Sequence, residues 1–239
     1  MVIDDLADRE HDCDLLLDQT FGRESKDYKP LVPEHCKILC GSRYALLRPE
    51  FAQWRDYSLQ RRQQPILKQL LINMGGVDKD NITGQVLEAL RESELPFDCR
   101  IVVVMGATAP SLEQVKKQAK TLPWHTEVKV GVSNMAQLMA ESDLAIGAGG
   151  ATSWERCCLG LPSLMLVLAE NQTTIANSLQ QSGSVIVIPI INQLNRPLKQ
   201  LLSAPLSLLQ MSSQAAQISD GRGCLRVCHF LEKPSAAQT

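Results

Sequence analysis

The chain predicts an α/β protein built on a doubly wound parallel sheet, and three observations predict it. From Gln64 onward, strand-length apolar runs alternate with helical patterns. The turns after those runs are glycine-rich: Gly75-Gly76, Gly106, Gly131 and Gly147 to Gly150. Only 4% of the residues are aromatic, so Val, Ile, Leu and Ala must fill the interior, as parallel sheets covered by helices prefer.

In chain order, Val2-Ile3 reads as a strand end, and Asp14 to Leu17 and Lys37 to Leu39 as two further short strands. Pro30, Pro33 and Pro49 punctuate the loops. Three short strands without a covering helix cannot bury a sheet. Residues 1–60 are therefore expected to be a unit distinct from the rest and poorly stable alone. Gln53 to Gln64, with Arg55, Arg61 and Arg62, reads as a linker or a solvated helix.

Residues 61–239 are expected to form the second domain. Its strands are read at 66–72, 101–105, 128–130, 144–146, 164–168 and 185–188. Its helices are read at 82–95, where Val86, Leu87 and Leu90 share a face, at 111–120, from Met135 to near Asp143, from Thr152 or Ser153, and at 173–181, with a further helix near the C-terminus. Ligands of such sheets sit outside the carboxyl ends of the strands, where the glycine-bearing loops and Glu170-Asn171-Gln172 converge.

The run Asp143-Leu-Ala-Ile-Gly147-Ala-Gly-Gly150-Ala-Thr-Ser-Trp-Glu155 carries the most chemistry. Glycines let backbone approach a ligand, free N–H groups at a helix start suit phosphate, and Glu155 can accept both hydroxyls of a ribose. Gly147-x-Gly149-Gly150 lacks the third glycine of the dinucleotide fingerprint, which argues against a nicotinamide cofactor. The plain alternative is an ordinary tight strand-to-helix turn. Convergence of five loops on one mouth favours a nucleotide.

A net charge of −2 without a basic tract argues against nucleic acid. The longest apolar runs, Leu161 to Ala169 and Val185 to Ile191, fall short of a bilayer span, so no membrane span is expected. Asp4, Asp5 and Asp8 open a segment without the basic start and apolar core of a signal peptide, and a cytoplasmic protein is expected. Cys36-x3-Cys40 and Cys224-x3-Cys228 have zinc-like spacing but no histidine pair. The eight cysteines are expected to be reduced and mostly buried, with no metal and no cofactor. His11 and His35 lie in polar contexts and are expected to be solvated.

Several motifs then occur in order: Ile3-Asp-Asp-Leu-Ala-Asp8, Leu15-Leu-Leu-Asp18, Leu31-Val-Pro33, Tyr44-Ala-Leu-Leu-Arg48-Pro-Glu-Phe51, Met74-Gly-Gly76, Asn134-Met-Ala-Gln-Leu-Met139, Gly147 to Glu155, Glu170-Asn-Gln172 and Asp220-Gly-Arg-Gly223. Together they resemble the UDP-2,4-diacetamido-2,4,6-trideoxy-β-L-altropyranose hydrolases of pseudaminic acid biosynthesis, relatives of the lipid II-forming glycosyltransferase. The resemblance implies a two-domain GT-B architecture and release of UDP and free sugar from a UDP-sugar. It places Asn134 and Met135 at uracil, Glu155 at the ribose with Ser153 beside it, and Gly75 and Gly76 at the diphosphate. Asn171 and Gln172 would lie at the sugar, and Arg48 would reach in from the interdomain side.

The family's Gly-x-Gly-His loop, whose histidine is thought to be the general base, has no counterpart here. No catalytic residue is therefore assigned, the resemblance implies that residues 1–60 are the remnant of a partial, Rossmann-like first domain, and hydrolysis by this chain is expected to be impaired. Trp154 stands where relatives carry a small polar residue and is expected to reshape the sugar pocket. The alternatives are a GT-B glycosyltransferase using a UDP-sugar and a non-catalytic UDP-sugar-binding remnant. The last goes with association with other sugar-biosynthesis enzymes, as a module of a larger assembly.

Overall fold

The computed structural model describes residues 1–232; residues 233–239 and the side chain of Asn171 lie outside the described residues. Strands β1 (Val2–Ile3), β2 (Leu15–Asp18) and β3 (Lys37–Cys40) pair in parallel in that order. Leu17 of β2 lies opposite Ile3 on one side and Leu39 on the other. Side chains alternate between the faces of a strand. Leu15 and Leu17 accordingly pack with Leu39 and Tyr44, while Leu16 packs with Cys13 and Tyr28. A helix does cover the first face: Val227 and Phe230, from the helix Gly223–Glu232 at the far end of the chain, complete that cluster.

Helix α1 (Pro49–Arg61) opens with proline at its first helical position, where the missing N–H is no loss. Its polar sequence suggests a linker or a solvated helix, and the structure corrects this. Arg55 donates to the carbonyls of Ala216 at 2.7 Å and Ser219 at 2.9 Å, and also to that of Cys158. Ser58 Oγ and Arg62 Nε both donate to Leu159 O, at 2.7 and 3.1 Å. Arg62, only 5% exposed, also donates to Ser142 O at 2.7 Å and Met139 O at 3.0 Å. These carbonyls lie at the ends of three helices, where acceptors lack intrahelical partners and the dipole is negative. The arginines that suggest solvation are the groups that dock the helix.

The remaining strands are β4 (Gln69–Asn73), β5 (Arg100–Met105), β6 (Thr126–Val130), β7 (Leu144–Ala148), β8 (Ser163–Leu166) and β9 (Val185–Ile188). They form one parallel sheet in the order β6-β5-β4-β7-β8-β9. Between and after them run α2 (Ile82–Leu90), α3 (Leu112–Ala119), α4 (Met135–Glu141), α5 (Thr152–Cys158), α6 (Thr173–Gln181), α7 (Asn195–Ser203), α8 (Leu206–Ile218) and α9 (Gly223–Glu232). Leu70, Ile72, Val103 and Ile146 pack on one face with residues of α2 and α7; Leu71, Val102, Ala145 and Met165 pack on the other with residues of α4, α5, α6 and α8. Helix α2 ends at Leu90 rather than at Leu95, because tight turns through Arg91 and Ser93 lead to Pro96, which disfavours helical backbone before it. Leu95 is still buried, from a loop.

The strand order sets the site. The chain builds β4, β5 and β6 outward in one direction, then returns to place β7 on the other side of β4. Asn73 at the end of β4 thus lies opposite Gly147 of β7, and the loops leaving these strands face one another across the point where the winding reverses.

Candidate functional site

Gly75 follows β4 with φ 92°, a conformation that favours glycine, and nothing lies within 4 Å of where a Cβ would stand on Gly75 or Gly76. In the facing loop each glycine has its own reason. A Cβ on Gly147 would lie 1.9 Å from Nη1 of Arg156, and one on Gly149 would lie 3.2 Å from Cβ of Gln172. Gly150 has φ 124° and open space in front of it. The open part of this loop is therefore Gly150, while Gly147 and Gly149 make room for side chains of the protein itself.

Glu155, in the first turn of α5, is partly buried, and among the described residues no donor is hydrogen-bonded to its carboxylate. Burial raises its pKa, opposed by the charges of Arg48 and Arg156 and reinforced by Glu50. Arg48, at the N-cap of α1, pairs with Glu50 at 2.9 Å, lies over the Phe51 ring and donates to Ser133 O at 3.3 Å. It thereby links α1 to the loop that carries Asn134. Asn134 is exposed, with its amide 3.3 Å from Gln137 Oε1, and Met135 packs partly against the core. Gln172 accepts from Leu168 N at 3.0 Å, and Asn171 lies in the short turn Glu170–Gln172 with its side chain outside the described residues. Ser153 differs from the others: it is buried, and its hydroxyl takes a bond from Arg156 at 3.2 Å rather than facing the mouth.

Opposite this mouth stand the carboxyl ends of β1 and β2. A cavity of about 400 Å³ lies between the two sheets, with Asp4, Asp5 and Gln19 on one wall and Gly150, Trp154 and Gln172 on the other. Trp154 is 4% exposed and forms a fixed wall. The acidic rim is braced from behind. Asp4 accepts from Ala7 N at 2.8 Å and from the Tyr28 hydroxyl at 2.7 Å, and Asp18 pairs with Arg23 at 2.8 Å. His11 is not solvated as expected: its Nε2 is buried, 3.7 Å from Asp4, with the His11 backbone N–H tied to Leu31 O at 2.8 Å. His35 is exposed, 3.5 Å from Asp14.

Elsewhere, an open groove of about 1080 Å³ runs along the edge strand β9, lined from α7 and α8, and includes none of the glycine loops. Cys13 and Cys36 have their sulfurs 3.6 Å apart as free thiols, and Cys228 is exposed. No helix among the described residues is long and apolar enough to cross a membrane. Arg156, which lies against Gly147 and donates to Ala148 O at 2.7 Å, is absent from the residues expected at this loop. Its signal was a charge set among Trp154, Cys157 and Cys158 on a helix that buries all of them.

Two parallel sheets facing across a cleft, the second carrying glycine loops at its winding reversal, define an α/β protein of GT-B type. The chain belongs to the glycosyltransferase family 28 C-terminal domain family, whose pattern matches residues 70–222. It is 29% identical over 211 residues to the spore coat polysaccharide biosynthesis protein SpsG of Bacillus subtilis, covering 84% of this chain and 60% of that protein. It is 30% identical over 175 residues to the UDP-2,4-diacetamido-2,4,6-trideoxy-beta-L-altropyranose hydrolase of Campylobacter jejuni, covering 72% and 59%. Among solved structures it resembles MurG of Acinetobacter baumannii with a TM-score of 0.68 at 19% identity, over 92% of this chain and 66% of that one. The chain thus spans about three fifths of the length of these curated relatives.

Proposed function

We propose that this chain binds a UDP-sugar in the cleft between its two sheets and belongs to an enzyme that hydrolyses a UDP-linked diacetamido trideoxy sugar to UDP and free sugar. The observation that carries this reading is the apposition of the Gly75-Gly76 and Gly149-Gly150 loops beside a Glu155 carboxylate that no described residue hydrogen-bonds. Glu155 takes the ribose diol, and the loop at Asn134 and Met135 faces uracil. Gly75, Gly76 and Gly150 let backbone approach the diphosphate, with Arg48 adding a fixed charge. Asn171 and Gln172 lie on the sugar side, and Ser153 supports the loop from inside. In the reaction a water oxygen bonds to the anomeric carbon and gives up one proton to solvent while the bond from that carbon to UDP breaks, and UDP leaves with the electron pair. The similarity to the named hydrolase supports this choice.

Calorimetry tests the site first. UDP should bind, and Glu155→Ala should weaken it by roughly 1 to 3 kcal/mol, because two ribose hydroxyls lose a charged acceptor. Absence of UDP binding, or an unchanged affinity in the variant, overturns the reading. Sugar transfer is the second reading, favoured by the family 28 match. Free sugar formed from a UDP-sugar without an acceptor separates hydrolysis from transfer.

A further inference from the structure

Three arginines anchor the second sheet, Arg62 and Arg156 buried and Arg55 half-buried, and they differ in what answers their charge. Arg55 and Arg62 end among carbonyls at helix C-termini, which supply negative potential. Arg156 has no such surroundings. It is 3% exposed, donates through one nitrogen to Ala148 O at 2.7 Å and Ser153 Oγ at 3.2 Å, and its Nε has no partner among the described residues. No carboxylate among the described residues comes within 4.0 Å of it, so it has no ion pair. Burial lowers the guanidinium pKa to about 10, so it remains charged at neutral pH.

The position of this charge is specific. Nη1 is pressed so closely against Gly147 that any side chain there would collide with it, and Ala148 O, the acceptor it does use, begins the Gly149-Gly150 loop. A buried cation that feels Glu155 only from beyond ion-pair distance is costly, and an anion at the loop would relieve that cost.

We propose that Arg156 is the built-in cation of the diphosphate subsite, a positioning residue whose unpaired charge, acting through the Gly147–Gly150 backbone, makes the pocket prefer a nucleoside diphosphate to the bare nucleoside. The inference rests on the UDP reading above and adds the source of its anion selectivity. The proposal differs from a purely structural role in its signature. Loss of packing would weaken every ligand alike, whereas loss of the charge weakens only the charged one.

The test is competition calorimetry of UDP and uridine on the full chain, for the wild type, Arg156→Met and Arg156→Lys. The expected result is that Arg156→Met lowers UDP affinity by about tenfold or more, as truncating one member of a buried charge pair does, with uridine affinity little changed. Arg156→Lys should retain most of the preference. An unchanged ratio of UDP to uridine affinity in Arg156→Met, or a parallel loss of both, overturns the proposal while leaving the nucleotide site standing. A wild type that binds neither ligand removes the nucleotide site and this inference with it. Should Arg156→Met fail to fold, the Arg156 Nε resonance of the wild type decides: it should shift on saturation with UDP and not with uridine. A resonance that UDP leaves in place overturns the proposal.

Discussion

The Ser42 hydroxyl donates to the carbonyl of Ile218 at 2.6 Å across 176 positions of sequence. It is one of a row of stitches: Arg226 donates to Arg43 O at 2.8 Å, and Cys224 Sγ lies 3.2 Å from Leu47 O. Gly223 crosses so close to this segment that a Cβ would lie 2.1 Å from Ala45 O. The late Asp220-Gly-Arg-Gly223 motif is therefore the crossing at which the chain returns to its first sheet.

This crossing predicts how the chain responds to protease. In the intact chain residues 1–45 should resist about as well as the second sheet, because α9 covers them. A chain ending at Ser219 should lose that segment rapidly while residues 69–200 persist. Mass spectrometry of timed digests checks it, and equal resistance in the shortened chain would count against the stitching.

Glu155→Gln should raise stability and weaken UDP binding together. The folded-state pKa of Glu155 is raised above its ordinary 4.5, chiefly by burial. The stability linked to this group is fully present below the ordinary value and is lost as pH rises through the folded value. At neutral pH the variant should therefore unfold at higher urea than the wild type, with the gap closing below about pH 4.5. A variant less stable than the wild type at pH 7 contradicts the burial argument.

Asp220 has the opposite sign. Hydrogen bonds from Arg226 hold its pKa at about 2, below the ordinary 3.8. Its contribution is present above 3.8 and is lost as pH falls toward 2. Because the pair is partly exposed, solvent screening limits it to under about 1 kcal/mol. Asp220→Asn should lower stability slightly at neutral pH and flatten the acid limb of the stability curve, as read by urea titration from pH 5 to about 2.

Tyr28→Phe should destabilise the first sheet. The phenol is buried between Asp4 and Asp18, at 2.7 and 2.9 Å, and burial with the two carboxylates keeps it protonated as a donor. The variant removes the single hydroxyl proton that Asp4 and the fully buried Asp18 share, a loss of about 1 to 3 kcal/mol. Denaturant unfolding measures this, and an unchanged midpoint would show that Arg23 and Thr20 satisfy Asp18 without it.

Much of the second sheet is legible in the sequence. The helix at 173–181 and the strand at 185–188 lie where apolar spacing puts them, because each buries one face or both against a sheet and the spacing records this directly. Arginine-rich segments are less legible. In α1 the arginines and Ser58 reach carbonyls supplied by helices about 80 to 160 residues away, so local polarity points to solvent where the fold provides acceptors.

The amino-acid sequence by itself determined the alternation of strand and helix, the glycine turns at the strand ends and the acid that follows the longest of them, because each depends on neighbours a few residues apart. The tertiary structure alone decided that β7 returns beside β4, that α9 closes the first sheet, and that Gly147 is glycine to admit the guanidinium of Arg156. These depend on contacts between distant segments, where packing and the need to satisfy buried polar groups select one arrangement from many that the local pattern allows.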